Sequence, residues 1–145
     1  MSIWRSLRTL EELNGNRQGT LIENLGILFT DIGDDFVRGT MPVDARTVQP
    51  YGLLHGGASV ALAETLGSMG AAMCEDVAEY QVVGQEINAN HVRAARSGLV
   101  TGTARAVHLG GRTHVWSIEI VNDAQKLVCI SRITMAVIKR GALTS

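Results

Sequence analysis

Apolar positions recur in two distinct rhythms along the chain. From Leu53 to Cys74 nearly every residue is apolar, small or hydroxylic, without the two-residue alternation of a half-exposed strand. That run predicts one long helix over about 56–74. Its glycines (Gly57, Gly67, Gly70) weaken intrinsic helix propensity, so it must be held by packing against another element. Strand-like runs flank it. Residues 26–31 and 36–43 read as a first hairpin around Gly33-Asp34. Residues 81–93, 99–108, 113–121 and 127–139 read as four further strands. Gly110-Gly111 is a two-residue hairpin signal between the middle two. Upstream, a short helix is expected within residues 6–14, with Thr9 as N-cap and Glu12 three residues on. Thr20 to Leu25 reads as one more helical turn, 75–79 as a solvated acidic loop, and 140–145 as a frayed tail.

Two strands, one long apolar helix and four strands imply an α+β fold. The simplest form is an antiparallel six-stranded sheet wrapped around the helix, in a single domain over 1–145. Composition agrees: 46% hydrophobic and 19% charged residues describe a globular chain with a real core. A net charge of -1 and only 4% aromatic residues argue against nucleic acid as a partner. Cys74 and Cys129 have neither metal-ligand spacing nor the number for a disulfide framework, and read as buried free thiols. The first residues lack a signal-peptide core, and Glu64 with four glycines breaks any reading of 53–74 as a membrane span. The expected location is cytoplasmic, with no membrane partner.

Glu64 is the only formally charged side chain between Leu53 and Cys74. A carboxylate there needs a partner, a raised pKa or a task. His55-Gly56-Gly57 lies where the loop enters the helix. Free N–H groups and the helix dipole make that end an anion or oxyanion site. Equally, the glycines could serve only to fit the turn. Gly56 and Glu64 are eight residues apart, ~12 Å along a helix axis. One carbonyl cannot touch both within a single helix, so a site using both would be shared across a two-fold dimer. Gln49 before Pro50, and Ser68 one turn after Glu64, are further polar candidates. No Ser-His-Asp motif, Walker loop or dinucleotide fingerprint is present, and the histidines do not suggest a metal site.

At these residues the chain resembles the hotdog-fold acyl-CoA thioesterases. The matching stretches are QPYGLLHGGASVALAETLGS, VVGQEINANHVRAARSG and HLGGRTHVWSIEI, and the likeness runs from Trp4 to Ile138. It is strongest to the phenylacetyl-CoA-type branch that includes dihydroxynaphthoyl-CoA hydrolases of menaquinone synthesis and enterobactin proofreading thioesterases. The resemblance implies a hotdog homodimer with shared sites and a homotetramer built from two dimers. It implies Glu64 as nucleophile or general base and the Gly56 N–H as the group that polarises the thioester carbonyl. Gln49, His55 and Ser68 would position the thioester or water. His91, Arg93, His108, Gly111 and Arg112 would contact coenzyme A, which is part of the substrate; no separate cofactor or metal is implied. Relatives often carry serine at the position of Gly111, which would remove one hydroxyl contact. Without the resemblance, Arg93, Arg96 and Arg112 read equally well as a solvated sheet edge. The expected activity is hydrolysis of an aromatic acyl-CoA. The rivals are a hydratase or dehydratase on the same fold, and a non-catalytic acyl-CoA-binding protein.

Overall fold

The computed structural model describes residues 1–142. Its elements are α1 (Leu10–Gly15), α2 (Leu21–Asn24), β1 (Leu28–Ile32), β2 (Phe36–Pro42), α3 (Gly56–Cys74), β3 (Tyr80–His91), β4 (Leu99–Leu109), β5 (Thr113–Val121) and β6 (Leu127–Lys139). All strand pairings are antiparallel, in the order β1-β2-β4-β5-β6-β3. This is the hotdog architecture: one six-stranded sheet packed around one long helix. α3 is 19 residues long, or ~28 Å, and its buried face meets the inner side of the sheet.

Gly67 and Gly70 of α3, poor helix formers, sit where the helix packs against the sheet. A Cβ on Gly70 would fall 2.7 Å from the Trp116 ring, and one on Gly67 would fall 2.7 Å from Ile133 Cγ2. The sheet reciprocates. Gly39 and Gly102 face each other across β2 and β4, and a Cβ on either would come within 2.9 Å of a Leu66 methyl. Helix and sheet thus exchange glycines for large side chains, which lets α3 lie close to the strands. Trp116, Ile118, Ile120, Leu62, Leu66 and Met73 are fully enclosed in the resulting core.

Four expectations need correction. The first helix begins only at Leu10, because Thr9 caps it: the Glu12 N–H donates to Thr9 Oγ1 at 3.2 Å, and the Thr9 N–H donates to Glu12 Oε2 at 2.7 Å. The residues before it form an extended strap. Ile3 N–H donates to Asp34 O, and Trp4 Nε1–H donates to Gly33 O. The indole of Trp4 stacks on Trp116, with ring centroids 6.2 Å apart. Second, the β4–β5 hairpin forms without either glycine in a left-handed conformation; it closes through Gly110 N–H donating to Thr113 O at 2.9 Å. Third, Glu75 does not belong to a solvated loop, since its side chain is only 15% exposed. Fourth, Arg140 is tied down: its N–H donates to Glu79 O and its Nε–H to Val77 O. Residues 143–145 of the expected tail lie outside the described residues.

β1 and β3 are the sheet edges. β3 is 12 residues long, is paired only with β6, and carries a bulge between Gly84 and Glu86. Such an edge offers unpaired backbone groups to another strand.

Candidate active site

The loop ahead of α3 is closed by its own hydrogen bonds. Gln49 N–H donates to Leu53 O at 2.8 Å, and Gly52, left-handed at φ +77°, donates its N–H to Gln49 O at 2.9 Å. Gln49 Oε1 accepts from the Tyr51 N–H, which leaves the amide NH₂ available to a ligand. His55 then caps the helix: Nδ1 accepts the Gly57 N–H at 2.8 Å, and its own N–H donates to Thr47 O at 2.8 Å. The Gly56 N–H has no acceptor among the described residues. It is a free donor at the positive end of a 19-residue helix.

That donor opens on a cleft of ≈ 350 Å³ bounded by Gln49, Gly56, Ser59, His91, Arg93 and Val128. His91 presses on the helix start; a Cβ on Gly56 would lie 2.8 Å from His91 Nε2. Arg93 sits just past the end of β3, which stops at His91, and its Nε–H donates to Leu127 O at 3.2 Å. So Gln49 and Gly56 from the loop–helix junction meet His91 and Arg93 from the end of β3 in one cleft. His55 does not join them. Its side chain lines a different cleft of ≈ 290 Å³ beside Arg46, Ala58 and Ala61.

Glu64 lies halfway along α3 and is exposed. It makes no ion pair or hydrogen bond to another described side chain or backbone group. Its Oε1 occupies the space that Gly84 leaves beside β3: a Cβ there would be 2.7 Å away. The carboxylate therefore sits over the free sheet edge, not inside the core. Ser68, one turn on, directs its Oγ at Met135 Sδ at 3.8 Å, a weak acceptor.

His108, Gly111 and Arg112 belong to the opposite end of the molecule. Gly111 lines a third cleft of ≈ 380 Å³ with Arg5, Cys74, Glu75, Tyr80 and His114, beside the C-terminus of α3. His108 Nε2 lies against Gly110, 2.6 Å from where a Cβ would be. One protomer thus holds its two sets of cationic groups at opposite ends of a ~28 Å helix.

One pair escaped the sequence reading. His114 Nε2 stands 3.0 Å from Glu75 Oε1, and the histidine is 1% exposed. The alternation of β5 carried a signal: His114 shares its face with Trp116, Ile118 and Ile120, all buried. Burial pushes the His114 pKa below its ordinary 6.5, against the opposing pull of the Glu75 carboxylate. Between pH 6.5 and the lowered native value the unfolded chain binds more protons than the folded one. Stability is therefore fully present above 6.5 and falls as the pH drops through that window. Thermal melts from pH 7.5 downward should show this loss, and His114→Phe should flatten it. Both cysteines are buried and free. Burial, with the Glu75 charge, pushes the Cys74 thiol up to about 12, and burial raises Cys129 too, so neither thiol is poised as a nucleophile. No described helix is long and apolar enough to cross a membrane, and no three metal-ligating side chains cluster among the described residues.

Comparison with known proteins supplies the class of chemistry. Residues 51–129 match the thioesterase superfamily. The chain is 52% identical to the 1,4-dihydroxy-2-naphthoyl-CoA hydrolase of Escherichia coli, covering 94% of this chain and 99% of that protein. It is 48% identical to a proofreading thioesterase of Cronobacter sakazakii, over 94% of this chain and 98% of the other. The crystal structure of a mutant thioesterase from Pseudomonas aeruginosa superposes with a TM-score of 0.94 at 51% identity, covering 95% of this chain and 99% of that one. With a matching family over more than half its length and a matching fold over nearly all of it, the chain belongs to the thioesterase superfamily and is a hotdog-fold thioester hydrolase.

Proposed function

We propose that the substrate is an aromatic acyl-CoA and that each active site is built from two copies of the chain. The observation that carries the shared acyl-CoA site is the free Gly56 N–H at the start of α3, set in one cleft with the Gln49 amide and the His91 and Arg93 side chains. A thioester carbonyl oxygen on that N–H gains the helix dipole as its charge develops. Glu64 of the same protomer is too far along the helix to reach that carbon. Pairing of two β3 edges would set two α3 helices antiparallel and bring Glu64 of the partner subunit to the carbonyl. The carboxylate then either attacks carbon, giving an anhydride that water opens, or takes a proton from an attacking water. In both routes CoA leaves as the thiol. Ser68 would accompany the partner's Glu64 and steady the acyl group or the water. His55 contributes from behind, by capping the turn that fixes Gly56.

The same antiparallel pairing brings the hairpin with His108, Gly111 and Arg112 toward the other protomer's His91 and Arg93. Together they offer cations and turn N–H groups to the phosphates of CoA. CoA is part of the substrate, so no further cofactor is required, and two such dimers would associate as a tetramer. The aromatic assignment rests on the Escherichia coli relative, which acts on 1,4-dihydroxy-2-naphthoyl-CoA; a place in menaquinone synthesis follows from the same likeness.

Free-thiol release from a panel of aromatic and aliphatic acyl-CoAs tests the reading. Aromatic esters should give a kcat/KM at least about tenfold above saturated fatty acyl-CoAs, equivalent to ~1.4 kcal/mol of transition-state discrimination. Preference for the aliphatic esters would overturn it. A hydroxyacyl-CoA should release thiol without forming an enoyl product; enoyl formation would favour the dehydratase reading instead.

A further inference from the structure

Three separate pieces of the chain converge at the C-terminal end of α3. The N-terminal strap supplies donors to the last helical carbonyls: Arg5 N–H and Ser6 N–H both reach Met73 O at 2.9 Å, and Ser6 Oγ–H donates to Glu75 O at 2.7 Å. The helix ends at Cys74, so Glu75 leaves it with its side chain turned to the sheet. There His114, the first inward residue of β5, meets the carboxylate at 3.0 Å.

The geometry fixes the hydrogen. Only Nε2 faces an acceptor, so Nε2 carries the proton that bridges to Glu75. Nδ1 is buried without a partner among the described residues. A buried, half-satisfied histidine is a costly choice for a strand end where any apolar residue would pack. Its neighbours are not neutral filler either. Cys74 faces it from the last residue of α3, Glu75 from the position just past the helix end, Arg5 from the strap, Tyr80 from β3 and His108 from β4. Just before His114 comes the hairpin turn, whose Arg112 carbonyl accepts the Val137 N–H at 2.9 Å. The His114–Glu75 bond is thus a side-chain tie between α3 and the strand that carries the turn.

We propose that His114 is a positioning residue for substrate binding: through Glu75 it ties the β4–β5 hairpin to the end of α3, so that His108, Gly111 and Arg112 meet CoA phosphates in a preformed arrangement. This rests on the assignment of that hairpin to CoA above. A preformed grip lowers the ordering cost of binding. It acts on the nucleotide end of the substrate, ~16 Å along the helix from Glu64.

The test compares His114→Phe with wild type on two substrates carrying the same acyl group: the CoA ester, and the pantetheine ester that lacks the nucleotide and diphosphate. The expected result is a roughly tenfold rise in KM for the CoA ester, kcat within about twofold, and an unchanged KM for the pantetheine ester. His114→Gln, which keeps an N–H for Glu75, should restore most of the CoA KM. A merely structural histidine would lower the melting temperature or depress both substrates equally, and either pattern without the KM split overturns the proposal. Should His114→Phe fail to fold, Glu75→Ala removes the same bond from a side chain that is 15% exposed, with the same split expected. His108→Ala and Arg112→Ala separate the two assignments. If they leave the CoA KM unchanged, the hairpin does not bind CoA. If they raise it while His114→Phe and Glu75→Ala do not, only the positioning role fails.

Discussion

Glu64→Ala should abolish thioester hydrolysis while leaving the fold untouched. Loss of a carboxylate acting as nucleophile or base costs between about a hundredfold and about ten-thousandfold in kcat. Little stability should go with it. Glu64 is exposed on α3, and alanine is the better helix former. A melting temperature within about 2 °C of wild type is expected, because surface changes of this kind stay within ~0.5 kcal/mol. Retained release of CoA near the wild-type rate would remove Glu64 from the mechanism.

The shared site adds a sharper version. Glu64→Ala and Gln49→Ala proteins, each impaired alone, should regain activity when unfolded together and refolded. A mixed dimer would contain one intact site, with Gln49 from one copy and Glu64 from the other, and one doubly damaged site. Absence of any regain, with mixed dimers present, would place the whole reaction within one protomer. The prediction comes from geometry alone: eight residues of helix separate Gly56 from Glu64, and no rotamer spans ~12 Å.

Trp116→Ala carries the largest expected effect on stability. Trp116 is fully buried, stacks on Trp4 at 6.2 Å and lies against Gly70. Its removal leaves a cavity under α3 and unseats the strap, for a cost of about 3–5 kcal/mol. At ~3 °C per kcal/mol for a chain of this size, the melting temperature should fall by roughly 10–15 °C. The buried indole N–H has no partner among the described residues, which trims the loss by ~1 kcal/mol.

Gly70→Ala then makes the packing legible as a sign change. In the wild-type background the new methyl would lie 2.7 Å from the indole. Overpacking of ~1–3 kcal/mol exceeds the ~1 kcal/mol gained in helix propensity. In the Trp116→Ala background the ring is gone, so the same substitution should stabilise by up to ~1 kcal/mol. A double-mutant cycle by chemical denaturation reads the difference directly. Additive effects would mean that glycine at 70 is not there to make room for the ring.

Much of this was legible because periodicity is a local property. The two-residue alternation of 113–121 and the run of apolar, small and hydroxylic residues over 56–74, interrupted only by Glu64, set element boundaries that the folded chain keeps. The capping of Thr9 by Glu12 was readable as a spacing, although the helix start was not, since residues before a cap look helical in composition alone. Glu64 stood out as a charge among apolar neighbours, and the HGG stretch as a helix start. The long apolar helix needed a sheet to cover it, and the count of strands set that sheet at six.

Contacts between distant residues were beyond that reach. Nothing local pairs Glu75 with His114, 39 positions on, and an acidic residue after a helix reads as solvated until a strand is folded over it. The separation of His55 from Gln49 and His91 is of the same kind. All sit near one helix end, but capping turns the imidazole toward α2's side while the loop and β3 meet on the other. The sequence by itself determined the elements and Glu64 as the residue to explain, because each follows from composition and spacing along one segment; the class of chemistry came from the likeness of three stretches to the hotdog thioesterases. Only the tertiary structure decided that Glu64 lies over an open sheet edge, that the cationic groups occupy opposite ends of α3, and that a buried histidine holds the helix end. Those facts depend on strand order and close approach, which arise when segments far apart in the chain bury one another's surfaces.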